Sequence, residues 1–328
     1  MVRISKLSAA AAATVLCAPV APGAANAQSS DAFRTRNLSP LVSIFGLPSW
    51  DSGKAAQSFG VTSEIANHYR LSQRGTDTLV LDGETWRNNL FFNHSLSADW
   101  FVSAELPYYQ QSGGVLDDVV DGWHSIFGLP DGGRNNRAED VLEYRLANAT
   151  GTFFGLDRRW RGWGDLQLSL GHRLGPERGY VVEATVKLGT GKREFLAGSG
   201  SSDLAISVFR SVDGTAFERN AGYFWGAGLM RNGDPDLIAY EAESFAYYGV
   251  VGGGLKLLPQ FGMKAQIDLH TAFYDTPLEE LGQTSVQATI GGWWDMSRRG
   301  VLEFAISEDL HVSTAPDVVL HIGLIWKR

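Results

Sequence analysis

Cysteine occurs once in the 328 residues, at Cys17. A chain with a single thiol has no disulfide framework and no thiolate pair for a metal, so its stability must come from hydrogen bonding and packing. Long apolar runs are missing too. Beyond the N-terminus every hydrophobic stretch is broken by polar or Gly residues short of the ~20 that a spanning helix needs, which excludes a helical membrane protein. Positive charge is scarce, with 28 Lys and Arg against 36 Asp and Glu and a net charge of −8, and this disfavours nucleic acid as a partner. Enzyme signatures are lacking as well: there is no His-Glu-x-x-His and no Gly-x-Ser-x-Gly. The stretch Gly189 to Lys192 lacks the upstream Gly and the following Ser or Thr of a phosphate loop. The sequence therefore assigns no catalytic residue, no metal ligand and no cofactor.

What is abundant is glycine and aromatic character. The 38 Gly lie well above the usual ~7%, and with 17 Phe, 10 Trp and 10 Tyr they favour short strands over helices. The first residues read as an address. Arg3 and Lys6 form a basic region, Leu7 to Val20 an apolar one, and Ala25 to Ala27 a small-residue cleavage site, so a secretory signal peptide is expected over 1–27 with the mature chain starting at Gln28. Cleavage there removes Cys17. A lipoprotein signal at Cys17 is disfavoured by the bulky Leu16 before it.

From about Phe59 to the end, the dominant signal is period two. Trp100, Val102, Ala104 and Leu106 alternate with Ser103 and Glu105; Tyr180 to Leu188, Met263 to Leu269 and Val318 to Trp326 repeat the pattern. A soluble β-sandwich alternates in the same way. Two features favour a membrane barrel instead. The segments run about 10 to 13 residues, matching the ~9–11 that cross a bilayer at a tilt. Aromatics also gather near their ends, at Trp100, Tyr108, Trp163, Tyr180, Tyr223, Trp225, Trp293, Trp294 and Trp326, where interfacial girdles sit. The fold class expected is all-β: a transmembrane antiparallel up-and-down β-barrel of about 12 strands over 58–328, in the outer membrane of a Gram-negative cell.

The polar face carries whole charges, which a dry core does not tolerate and a wet lumen does. Arg87, Asn89, Glu105, Glu183, Lys187, Lys264, Asp268 and Glu303 are the lumen-facing candidates. Short turns at 97–99, 175–178, 258–260 and 297–299 alternate with longer loops near 71–83, 110–162, 190–201, 231–243, 275–282 and 310–317, an arrangement with short turns in the periplasm and long loops outside. Residues 141–147 are counted as part of the 110–162 excursion, because a thirteenth spanning strand breaks the even parity of such barrels. In that excursion Val115, Leu116, Val119, Val120, Trp123, Ile126 and Phe127 recur at helical spacing and predict a short amphipathic helix. Asp117, Asp121, His124 and Arg134 are its candidate functional residues. Residues 28–57, with Arg34, Arg36, Pro40 and Pro48, form either a periplasmic tail or an internal plug.

The runs Asn37 to Leu41, Ile44 to Pro48, Asp82 to Trp86 and Glu105 to Pro107, with Asp118 to Pro130 and Arg134 after it, resemble the bacterial family of domain of unknown function 3187 (DUF3187) over essentially the whole mature chain. Gly164 to Leu166, Lys187 to Gly191 and Gly198 to Asp203 give a looser likeness to small outer-membrane channels. The resemblance implies an outer-membrane barrel without an established activity. Such barrels commonly end on an aromatic residue, whereas here Trp326 is followed by Lys327 and Arg328.

Three functions fit this reading. The first is a passive small-solute channel or binding barrel, porin-like in kind, since inward charges of both signs hydrate a pore. The second is an outer-membrane lipid hydrolase using His94 with Ser95, or His124 with Ser125 and Asp121. As strand neighbours, His94 and Ser95 point to opposite faces, which opposes a direct hydrogen bond. The third is a structural or surface-recognition barrel. The partners expected are outer-membrane lipid or lipopolysaccharide, the barrel assembly machinery and small solutes.

Overall fold

A computed structural model describes residues 31–114, 140–175, 179–214, 220–235, 237, 242–310, 314–316 and 318–328. Twelve long strands form the wall. They are β1 (Gln57–Arg74), β2 (Asp77–Ser95), β3 (Trp100–Ser112), β7 (Leu166–Leu174), β8 (Tyr180–Leu188), β9 (Asp203–Asp213), β10 (Ala221–Arg231), β11 (Phe245–Leu258), β12 (Phe261–His270), β13 (Ser285–Asp295), β14 (Gly300–Asp309) and β15 (Val318–Lys327). Every neighbouring pair is antiparallel, and β1 pairs with β15 from Ser58 opposite Lys327 to Asn67 opposite Val318, so the sheet closes on itself. Closure removes both free edges, the condition for a sheet to survive in lipid.

Period two sets the faces. On β12 the outward side chains Met263, Ile267 and Leu269 are exposed, while Lys264, Gln266 and His270 between them are buried. On β15, Ile322 and Trp326 face out and His321 and Ile325 face in. Outward aromatics form a band at the short-turn end, with Phe59, Trp100, Tyr223, Trp294 and Trp326 all exposed; Trp163, Phe245 and Tyr247 occupy the other end. Trp293 corrects the girdle expected from sequence. As the strand neighbour of Trp294 it must take the opposite face, and it is fully buried with Phe91, Val301 and Ile325. The neighbour that makes room for it is Gly262, where a Cβ would lie 2.1 Å from the indole.

Three further strands stand outside the count of twelve. Residues 141–147, read as part of a loop, form most of β4 (Glu143–Asn148), which makes a hairpin with β5 (Gly151–Leu156) and pairs with Thr78 to Asp82 on the upper part of β2. The strand β6 (Trp160–Trp163) pairs with Tyr108 to Gln111 of β3 and continues into β7 after a break at Gly164 and Asp165. The stretch 71–83 is not a loop. β1 and β2 pair residue for residue up to Arg74 opposite Asp77, and only Gly75 and Thr76, with Gly75 at φ +61°, make the turn. The amphipathic helix expected over 115–127 and the signal peptide fall outside the described residues.

Candidate functional site: the barrel lumen

The inner wall meets the segment 31–56, which runs along the interior as two limbs. Both ends sit at the short-turn end, where Lys327 bonds Asp31 at 2.5 Å and Gln57 exchanges backbone hydrogen bonds with Arg328. The ascending limb is held by Gln266, whose Oε1 accepts from the Phe33 amide at 2.7 Å, and by Asn37, which reaches Ser285, His270 and the Thr314 carbonyl. The apex is apolar. Phe45 stacks on Phe273 at 4.4 Å, and Leu41, Ile44 and Phe45 join a cluster with Leu196, Tyr274, Leu278 and Leu281, side chains of the loops at that end. On the descending limb, Trp50 packs against Phe209 and Tyr248. The wall leaves room for Trp50 at Gly226, where a Cβ would come within 2.5 Å of the indole. Arg173 donates to the Gly53 carbonyl below it.

Charge is concentrated at two places along this path. Midway, Glu105 of β3 accepts from Arg34 at 2.8 Å, Asn89 at 2.9 Å and Ser49 at 3.1 Å, with Arg36 at 3.5 Å and Arg87 at 3.8 Å. Arg34 also pairs with Asp51, bridging the two limbs, and Arg87 pairs with Glu64 at 2.7 Å. At the loop end, Lys187 lies 2.9 Å from Asp165 and 3.0 Å from Asp203, and donates to the Ile44 carbonyl and to Ser199. Asp203 in turn accepts from the amides of Gly46 and Gly233, and Asp165 from those of Gly191 and Ser199. A lysine between two carboxylates thus ties the apex to the strand ends and to the loop 189–202.

All eight lumen-facing candidates lie on inward positions of the wall. Arg87, Asn89, Glu105, Glu183, Lys187, Lys264 and Glu303 are buried, Lys264 bonds Glu303 at 2.7 Å, and Asp268 is half-buried and accepts from Gln266. The structure brings Arg87, Asn89 and Glu105 into one cluster, sets Lys264 of β12 with Glu303 of β14 as a separate pair, and leaves Lys187 at the loop end. Asp117, Asp121, His124 and Arg134 lie outside the described residues. His94 faces outward beside Phe92, while Ser95 bonds Arg173, so the two do not form a dyad. Sequence reasoning missed Glu64, Asp165 and Asp203. Glu64 on β1 and Asp203, the first residue of β9, both lie on the inward phase of their strands and were detectable; Asp165 lies in the break between β6 and β7, where alternation carries no information.

Burial pushes the Asp31 carboxyl up, but the adjacent Lys327 ammonium outweighs it and, aided by Lys54, holds the group well below the ordinary carboxylate range. Among the described residues no group of His, Cys, Asp and Glu has the arrangement of a metal site.

Among solved structures, an outer-membrane channel from Pseudomonas putida F1 is similar, with 13% identity over 86% of this chain and 97% of that one and a TM-score of 0.51. The CymD monoaromatic hydrocarbon channel (10% identity, 90% and 94% covered, TM-score 0.44) and the NanC porin (8%, 82% and 100%, TM-score 0.46) are more distant. At these identities the first likeness speaks to the barrel fold alone. No curated protein matches the chain. The sequence profile described as protein of unknown function (DUF3187) matches residues 8–327, and the chain belongs to that family.

Proposed function

We propose that this protein is an outer-membrane channel for small solutes whose lumen is occupied by its own N-terminal segment. The observation that carries the reading is how that segment is held. Among the described residues, no backbone-to-backbone hydrogen bond joins 31–55 to the wall. The contacts are side-chain hydrogen bonds, ion pairs and apolar packing, at the apex and at Leu38 and Trp50, while the wall's own ladder is complete without the segment. A structural filler built into the sheet would be inseparable from it; this one leaves the barrel closed and its inner face charged when it moves aside. The inward charges of both signs suit a hydrated pore of weak charge preference.

Conductance in planar bilayers tests this. The full chain is expected to be mostly silent. A variant lacking 31–51, shown to be a closed barrel by its shifted gel migration before boiling, is expected to give discrete openings. A closed barrel without the segment that never conducts overturns the reading.

A further inference from the structure

A cavity of about 440 Å³ opens at the short-turn end, between the limbs of the segment and the wall formed by β1, β2, β14 and β15. Its volume is within the ~300–1,000 Å³ typical of small-molecule sites. One side is apolar, lined by Trp50, Phe91 and Ile325, each largely withdrawn from solvent, with Ala32 and Ala55 between them. The other side is ionic. Its three carboxylates are all engaged, Asp31 with Lys327, Asp51 with Arg34, and Glu303 with Lys264. The turn between β13 and β14 adds Arg298 and Arg299 to the rim, and no ion pair is seen for either among the described residues. The Arg34 guanidinium lies 4.2 Å above the Phe91 ring, so cation and aromatic face meet at the cavity's inner end.

We infer that this vestibule is a binding site for small organic anions with an apolar body, such as aromatic or aliphatic carboxylates. Net positive charge at the rim draws in an anion and opposes a cation. Arg298 and Arg299 present guanidinium forks suited to a carboxylate. The apolar wall then takes the hydrocarbon part, which inorganic anions lack. The site is reached from the short-turn end while the segment still fills the lumen, so occupancy does not require an open pore. The inference rests on the channel reading only for its purpose; as a binding site it stands on the cavity itself.

The test is calorimetric titration of the full-length protein in a zwitterionic detergent, with empty micelles as the blank. Benzoate is expected to bind saturably. Benzylamine, its cationic counterpart at neutral pH, is expected not to bind, and inorganic phosphate at a concentration equal to that of benzoate is expected not to displace it. Replacing both exposed rim arginines, Arg298→Ala with Arg299→Ala, which leaves the backbone bond from the Lys327 amide to the residue 299 carbonyl in place, is expected to weaken benzoate at least tenfold with the heat-dependent gel shift retained. Absence of saturable benzoate binding, equal binding of benzylamine, displacement by phosphate, or unchanged affinity in the double variant overturns the inference. Should benzoate bind while the shortened barrel never conducts, the channel reading fails and the site stands. Should the shortened barrel conduct while benzoate does not bind, the reverse holds.

Discussion

Arg34 of the N-terminal segment donates from Nη1 to Oε1 of Glu105 on β3 at 2.8 Å, with both side chains about one-tenth exposed. Breaking one side of a buried pair costs more than the pair contributes, because the remaining charge stays behind without compensation, typically about 3–5 kcal/mol. Glu105 also serves Arg36, Asn89 and Ser49, so Glu105→Ala takes the carboxylate from Arg36, leaves Arg34 with Asp51 of its own segment and no partner on the wall, and keeps the wall ladder intact. The expected outcome is a more frequently displaced segment: new protease cleavage between 31 and 51 and more frequent channel openings, with the closed-barrel gel shift unchanged.

The loop-end anchor behaves differently. Lys187→Met removes the cation that bridges Asp165 and Asp203, both buried. By the same reasoning, destabilisation on the order of 3–5 kcal/mol is expected, confined to the apex and the loop 189–202. Hydrogen exchange checks this: the amides of Gly46, Gly191 and Ser199, which the aspartates accept from, should lose protection, while those of β12 to β14 should not.

Wall glycines that face aromatic side chains should resist enlargement. Gly262→Ala places a methyl 2.1 Å from the Trp293 ring, and overpacking of this kind costs about 1–3 kcal/mol. The temperature at which the gel shift disappears should fall. Gly179→Ala, whose Cβ would stand 3.5 Å from its nearest neighbour, should leave it unchanged.

Acid should loosen the base of the segment, and only strong acid. The folded Asp31 carboxyl is held below its ordinary value, so its contact with Lys327 contributes fully above the unfolded pKa of about 4 and declines as pH falls below that. Protease accessibility of 31–37 is therefore expected to stay constant from about pH 8 to 5 and to rise below about 4. Asp31→Asn should show the raised accessibility at neutral pH and remove the acid-dependent step.

The wall was legible in the sequence because alternation is a local signal. Trp100 to Leu106, Met263 to Leu269 and Val318 to Trp326 reveal their faces without knowledge of any partner. The inward charges followed from the same phase. The path of the segment did not, because its contacts join residues far apart in the chain and rest on side chains with no periodic arrangement. Asn37 with His270, Tyr274 with Leu41 and Lys187 with Ile44 leave no trace in local spacing. Trp293 was misplaced because two adjacent tryptophans give composition without phase. The β4 and β5 hairpin was hidden for a related reason: parity ruled out a spanning strand at 141–147 and is silent about a strand that pairs above the wall.

Both ends of the lumen segment lie at the short-turn end, Asp31 beside Lys327 and Gln57 beside Arg328, with Phe45 at the far apex. The segment is therefore a looped cord and not a threaded one. It can be drawn out and returned through a single opening without any free end crossing the barrel, and without disturbing the seam between β1 and β15. On the proposed reading, a wall that stays sealed in lipid and an occupant that comes and goes share a single covalent junction, where the cord becomes the first strand, and are otherwise held together by side-chain contacts alone.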